Sequence, residues 1–225
     1  MKGIIFSDPM ARANAEGRKT MTRRLGGLET VNLNPGAWRF VGMQSPTVWV
    51  FEGAGGWRLT KPKFQPGEVF YQKERFALHR DFDDMPASKI ASGAGCEFTG
   101  SIIRLGASPE RGSLVRRGRW RSPLFLPAIH ARFFARVTEV RAERLQSISE
   151  EDARREGVMP KVDTGIAVEL VRQTNPAEAP NWQLHRMEFW ALWRSIHGPA
   201  SWDTNPWVWV IGYTPISREE AQAAK

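Results

Sequence analysis

Residues 17–24 read Gly17-Arg18-Lys19-Thr20-Met21-Thr22-Arg23-Arg24, a stretch with four cationic side chains and two hydroxyls. A helix signal precedes it, because Asp8 can act as an N-cap, Pro9 suits the first helical turn and Gly17 suits a left-handed C-terminal cap. We therefore predict a short helix over residues 9–16. The basic stretch should leave this helix as a turn and continue as a strand, in which alternate side chains share one face.

The chemistry of this stretch supports three interpretations. Its guanidinium groups offer planar forks of donors that can hold an anion. Lys19, if it is desolvated among other cations, loses part of its proton affinity and can act as a base towards a hydroxyl such as that of Thr22. A solvated basic turn without any chemistry would have the same composition. The residues of the stretch alone leave these alternatives open.

The composition of the chain is that of a globular protein with a surplus of positive charge. The 225 residues are 41% hydrophobic and 25% charged, and the net charge is +8. This charge favours a polyanionic partner such as nucleic acid, and the ten Trp offer rings on which bases can stack. Cys96 is the only cysteine, so we expect neither an intramolecular disulfide nor a zinc site. With no run long enough to span a membrane, we expect a cytoplasmic protein.

Hydrophobic periodicity predicts a mixed α+β protein. Alternating residues indicate three core strands that share one sheet, and a further strand-like run begins a hairpin that we interpret as an insertion without a core of its own. Capping residues indicate two more helices, the first with Ser149 as N-cap and Gly157 as C-terminal cap. The polar tail from Ser217 should be frayed. The predicted strands span residues 47–52, 69–76, 131–141 and 207–213, and the predicted helices span 149–156 and 182–196.

Two further groups of residues are candidates for binding. Glu74 and Arg75 stand at the end of a predicted strand, where they could line a site or form an exposed ion pair. An arginine-rich segment surrounds Trp120 in a predicted loop, and basic residues around an aromatic ring suit a nucleic-acid surface as well as a mobile surface loop. The arginines of this segment are Arg111, Arg116, Arg117, Arg119 and Arg121.

Taken together, several segments resemble the ASCH domain family of PUA-like β-barrels. The basic stretch 17–24 resembles the signature of that family, and Pro66-Gly67-Glu68 with the strand up to Arg75 resembles its second element. Other segments are similar to the long phage and prophage branch of the family, namely residues 122–127, 148–157 and 202–209. The resemblance covers residues 1–25, 64–77, 119–160 and 180–213. It implies one domain over residues 1–225, a small β-barrel with flanking helices, and insertions at 26–63 and 78–118.

The resemblance also implies an activity. One small bacterial branch of the ASCH family is an amidohydrolase that removes the acetyl group of N4-acetylcytidine, using a Lys and a Thr of the signature and a Glu of a helix. In this chain the matching positions are Lys19, Thr22 and Glu156, and the signature arginine is Arg24. We expect Arg24, Glu74, Arg75 and Trp120 to contact the substrate, a modified cytidine nucleoside or RNA. The expected reaction needs no metal and no other cofactor.

Two other functions are compatible with the same residues. An RNA-binding module without chemistry could use the basic stretch to hold phosphate, although a phosphate clamp needs neither Thr22 nor Glu156. A ribonuclease is the third possibility, but the sequence has no paired-carboxylate metal motif in its support. This chain is about twice as long as the small amidohydrolase, so the insertions can reshape the cleft. The sequence leaves open which acyl group is removed and whether the substrate is a free nucleoside or a polynucleotide.

Overall fold

The structure is a computed structural model that describes residues 1–86, 103–104, 117–160 and 184–224. Its described helices are α1 (Asp8–Ala15), α2 (Glu29–Asn32), α3 (Glu150–Arg155), α4 (Leu184–His197) and α5 (Arg218–Ala223). The strands are β1 (Lys2–Ile5), β2 (Met21–Arg24), β3 (Trp38–Ser45), β4 (Val48–Gly53), β5 (Gly56–Thr60), β6 (Val69–Lys73), β7 (Phe76–His79), β8 (Ile103–Arg104), β9 (Arg117–Arg121), β10 (Phe134–Arg144) and β11 (Trp207–Ile216). The predicted α+β class is confirmed. Within the described parts of the chain, no helix is both long and apolar enough to cross a membrane.

The chain divides into two compact units. The first consists of Met1–Glu16, Val69–Arg136 and Pro215–Lys225, and the second of Gly17–Glu68 and Val137–Thr214. The three predicted core strands lie in one sheet, as expected, because β6, β10 and β11 are consecutive in the strand order β1-β6-β10-β11-β2. Strands β10 and β11 each contribute residues to both units.

In the first unit, β1 runs parallel to β6, and the first residues of β10 run antiparallel to it. Tyr71 of β6 lies opposite Phe134 of β10, and both side chains belong to a buried cluster with Ala131 and Ala221. Ala221 lies on α5, so the prediction of a frayed tail is wrong. Burial of Ala221 and a capping box between Ser217 and Glu220 stabilise the last helix.

The arginine-rich segment is also different from its prediction. Residues 117–121 form β9, which pairs with β7, instead of belonging to a loop. Arg111 and Arg116 lie outside the described residues. Helix α1 begins at Asp8 with Ser7 as its N-cap, one residue before the predicted cap, and Gly17 beyond its end has the expected left-handed φ of 72°.

In the second unit, β2 runs antiparallel to β11, with Thr22 opposite Ile211 and Arg24 opposite Trp209. A separate three-stranded sheet has the order β3-β4-β5. Trp49 and Phe51 of β4 make edge contacts with Trp209 and Trp207, at ring-centroid distances of 5.2 and 5.1 Å. The predicted hairpin is therefore present as β4 and β5, and its buried side chains pack against those of β11. Strand β3 was missed because bulges interrupt its register and Gly42 breaks the apolar alternation.

The helices of the second unit follow the local signals. The Ser149 hydroxyl accepts a hydrogen bond from Asp152 N, and Gly157 has a φ of 84°, so both predicted caps of α3 are confirmed. Helix α4 begins by Leu184, and the first two residues of its predicted range lie outside the described residues. Phe189 and Trp193 are its buried side chains. The C-terminal end of α3 contacts the segment that precedes β2, since the backbone N–H of Thr20 donates to Arg155 O at 2.9 Å.

Two adjacent glycines just after β2 give a matched test of this local structure. Gly27 has a φ of 87°, and a Cβ there would lie 2.9 Å from Lys61 O, whereas a Cβ on Gly26 would meet no heavy atom within 4 Å. We expect Gly27→Ala to lower the free energy of unfolding by about 1–3 kcal/mol, since it combines a left-handed backbone with a steric clash. Gly26→Ala should stay within about 0.5 kcal/mol of the parent. Urea denaturation measures both, and equal midpoints for the two variants would contradict the described backbone.

Candidate active site

Lys19 and Glu156 meet in the second unit, although 137 positions separate them in sequence. Lys19 stands in the turn before β2, and Glu156 is the C-cap residue of α3. The Lys19 Nζ donates to Glu156 Oε2 at 2.7 Å and to the backbone oxygen of Glu156 at 2.7 Å. Backbone hydrogen bonds of Thr20 to Arg155 and from Tyr213 fix the turn that carries the lysine. The expected contact between these two candidate catalytic residues is therefore present.

The environment of Lys19 changes its proton affinity. The residue is 2% exposed, and Glu156 is 3% exposed. Burial lowers the pKa of the Lys19 ammonium from its ordinary value of 10.5, because desolvation penalises the charged form. The Glu156 carboxylate raises that pKa, while the charges of Arg24 and Arg23 lower it further, and the net direction is downward. This is the direction that a general base requires.

Arg23 is a member of the site that the sequence interpretation missed. Its side chain has no exposed surface, and it donates to Glu156 Oε1 at 3.2 Å, to Asp152 Oδ2 at 3.0 Å and to Glu143 Oε2 at 3.2 Å. Arg23 shares its strand face with Met21, which is fully buried. A cation on the buried face of a strand needs carboxylate partners. The alternation of Met21 and Arg23 was the signal that could have revealed it.

Further ion pairs extend this contact into a cluster of alternating charge. Arg141 donates to Glu143 and to Asp152, two of the three carboxylates that Arg23 contacts. We call these three cations and three carboxylates the buried ion cluster. Its members are Lys19, Arg23, Arg141, Glu143, Asp152 and Glu156. A further pair, Glu139 and Arg155, extends the cluster through contacts with Arg141 and Asp152, and the charges of the whole network balance.

Thr22 lies on the strand face opposite that of Arg23. It is 3% exposed, and among the described residues its hydroxyl makes no hydrogen bond to Lys19 or Glu156. The structure thus joins two of the three expected catalytic side chains directly, and Thr22 stands three positions after Lys19. Arg24 shares the face of Thr22 and keeps some exposed surface. Burial lowers the pKa of Arg24, and the nearby carboxylate of Glu156 opposes this shift without cancelling it.

The other expected substrate contacts belong to the first unit. Glu74 is buried and accepts two hydrogen bonds from Arg132, at 2.7 and 2.8 Å. Arg75 pairs with Asp8, and its guanidinium lies 5.7 Å from the centre of the Trp120 ring. A substrate role for these residues remains a prediction.

The described arginines of β9 have protein partners. Arg119 donates to the backbone oxygen of Asp83, and Arg121 donates to the backbone oxygens of Phe82, Asp83 and Met85. These contacts tie the strand to the turn after β7, so the two side chains have a structural role that the basic pattern did not reveal.

The cluster does not resemble a metal site. In the described parts of the chain, no group of three or more His, Cys, Asp or Glu side chains has an arrangement that could hold a metal ion. The carboxylates of Glu143, Asp152 and Glu156 come near one another, but Lys19, Arg23 and Arg141 take up their oxygens. The donors present fit a proton-transfer site better than a cation cage.

Comparison of the chain with protein-family models, with curated proteins and with solved structures returned no match. The function of the protein is therefore inferred from its residues and from the geometry of the buried ion cluster.

The buried ion cluster predicts that two carboxylates of neighbouring helical turns contribute very different amounts to the free energy of unfolding. Glu156→Gln removes the carboxylate that pairs with buried Lys19 and one of the three that pair with Arg23, so we expect the free energy of unfolding to fall by about 3–5 kcal/mol. Glu151→Gln breaks an exposed pair with Arg154 and should cost less than about 1 kcal/mol. Urea denaturation compares the two. Adding Lys19→Met to Glu156→Gln should restore part of the loss, and a purely additive double variant would argue against the pairing.

Proposed function

We propose that this protein is an amidohydrolase that removes the acyl group of an N4-acylated cytosine nucleoside, with N4-acetylcytidine as the reference substrate. The observation that carries the proposal is Lys19, a buried lysine with a lowered pKa that a carboxylate holds in place. The hydroxyl of Thr22 follows it on the adjoining strand. The substrate class comes from the resemblance of residues 17–24 to the ASCH signature. The closed PUA-like barrel that this resemblance implies belongs to the same proposal, and so does the cytoplasmic location that the cysteine content of the sequence favours.

The first half of the reaction forms an acyl-enzyme. The neutral amine of Lys19 accepts the proton of the Thr22 hydroxyl, and Thr22 Oγ1 attacks the acyl carbon of the substrate. The oxyanion that forms is stabilised by the positive charge of Arg24. Lys19, now an ammonium, returns the proton to N4 of the cytosine as the C–N bond breaks. Cytidine leaves, and the acyl group remains as an ester of Thr22.

The second half releases the acid. Water loses a proton to the neutral Lys19 amine and attacks the ester carbon, and Lys19 then returns this proton to Thr22 Oγ1 as the ester bond breaks. The products are a carboxylate and the free enzyme. Glu156 acts as a positioning residue, because its side chain and backbone oxygens fix the Lys19 Nζ. In enzymes without substrate, catalytic hydrogen bonds are often long and tighten only in the complex, which fits the separate hydroxyl of Thr22.

The direct test is incubation with N4-acetylcytidine, followed by chromatography for cytidine. We expect turnover by the parent protein, and a loss of at least about 1,000-fold in kcat/KM for both Thr22→Ala and Lys19→Met, because each removes a group that takes part in bond making. Thr22→Ser keeps the hydroxyl and should retain part of the activity. Thr20→Ala is the matched control, since it removes a neighbouring hydroxyl just before β2 and leaves Thr22 in place.

Three outcomes would count against this proposal. Full activity in Thr22→Ala excludes the acyl-enzyme, and equal losses in Thr20→Ala and Thr22→Ala indicate a structural effect. Absence of turnover, combined with RNA binding that weakens with added salt, would favour the RNA-binding module instead.

The pH dependence of the reaction provides an independent test of the base. The neutral fraction of Lys19 grows as the pH rises through its pKa, so kcat/KM should rise with pH and level off. Since burial and the neighbouring arginines lower this pKa from 10.5, the inflection should lie below that value. Arg24→Gln removes one of the charges that lower the pKa, so the inflection should move upward. A rate that falls with rising pH, or an inflection that moves downward in Arg24→Gln, would contradict the role of Lys19 as base.

A further inference from the structure

A hollow of about 330 Å³ lies in the second unit. Its lining includes Leu25, directly after β2, with Glu29 and Asn32 of α2. Trp193 and His197 of α4 and the turn that contains Ser201 and Thr204 also line it. Ligand pockets of proteins commonly begin at about 300 Å³, so the hollow has room for one small molecule and not for an oligonucleotide.

An aromatic stripe on α4 runs from the buried ion cluster to this hollow. Phe189, Trp193 and His197 follow one another at four-residue spacing and so share one helix face. The Arg23 guanidinium lies 5.7 Å from the centre of the Phe189 ring. The rings of Trp193 and His197 lie 4.2 Å apart at an interplanar angle of 34°. The stripe ends in an exposed imidazole at the rim of the hollow.

Arg24 links the hollow to the candidate active site electrostatically. Its positive charge lowers the pKa of both Lys19 and His197. For His197, partial burial of the ring is the larger cause, and both effects act in the same direction. The imidazole is consequently biased towards its neutral form, which offers an uncharged aromatic face. Leu25, the next residue after Arg24, contributes to the wall of the hollow.

We propose that this hollow binds the pyrimidine ring of the nucleoside, with the base lying against the His197 ring, and that His197 is a residue that determines specificity for a planar base. The inference rests on the proposed function, because it assigns the base-binding part of that same site. A base that stacks on the imidazole would continue the stripe of Phe189, Trp193 and His197 by one more ring.

The test measures binding of cytidine, the expected product, to the full chain by calorimetry. We expect His197→Ala to weaken binding by about tenfold, because stacking of a base on a side-chain ring is lost. His197→Phe should bind within about threefold of the parent, since it restores an aromatic face. Trp190→Phe is the matched control on the same helix. Trp190 stacks with Arg194 at 4.4 Å, and it is not among the residues that line the hollow.

A second measurement locates the ligand. The indole N–H signal of Trp193, assigned through its loss in Trp193→Phe, should shift during a titration with cytidine, and the signal of Trp190 should not. Absence of cytidine binding up to about 10 mM, binding that His197→Ala leaves unchanged, or a titration that moves other indole signals but not that of Trp193 would each overturn the inference.

The activity assay keeps this inference distinct from the proposed function. Hydrolysis of N4-acetylcytidine without any effect of His197→Ala on KM or on cytidine binding leaves the function standing and removes the base site. Cytidine binding that depends on His197, without hydrolysis of N4-acetylcytidine, leaves the base site standing and removes the proposed function.

Discussion

The second unit depends on the burial of a positive charge. Arg23 has no exposed side-chain surface, and a buried guanidinium is stable only where carboxylates surround it. Asp152 supplies one of them from the first turn of α3, Glu156 supplies a second from the C-cap of that helix, and Glu143 supplies a third from β10. The requirement to neutralise Arg23 therefore holds α3, β2 and β10 in fixed positions. Lys19 enters the same cluster through Glu156.

This arrangement reconciles two demands on the lysine that usually conflict. A carboxylate at 2.7 Å stabilises an ammonium, whereas a general base must lose its proton near working pH. In this cluster Arg23 shares the charge of Glu156, and the positive charge of Arg24 acts on Lys19 as well. With burial added, the effects that favour the neutral amine outweigh the attraction to the carboxylate. The carboxylate thus fixes the geometry of the amine, while burial opposes the ammonium form more strongly than this carboxylate favours it.

Local signals explain which parts of the fold the sequence could predict. Helix ends are fixed by contacts between residues a few positions apart, as at Ser149, Gly157 and Gly17. Such signals can be recognised in the sequence itself. Strand β3 escaped prediction because bulges interrupt its alternation, although its partner β4 is the next strand along the chain. Helix α5 escaped prediction because its stability comes from the burial of Ala221 against residues far away in sequence. For the same reason Lys19 and Glu156 could be paired only through a family resemblance, since no periodicity relates positions so far apart. Arg23 was overlooked because its meaning depends on three carboxylates that come from two other elements.

The double attachment of Lys19 has a consequence for how this site can change over evolution. One of its two hydrogen bonds goes to the backbone oxygen at position 156, which every amino acid supplies, and only the other goes to the carboxylate. One of the two contacts that hold the Lys19 amine therefore does not depend on the side chain at position 156, whereas the electrostatic effect on its pKa does. A lineage that replaced the glutamate would keep the lysine attached at this point while altering its basicity. Substitution at position 156 can thus change the basicity of Lys19 while the backbone contact is kept. Related proteins with this fold could in this way have different reactions, or none.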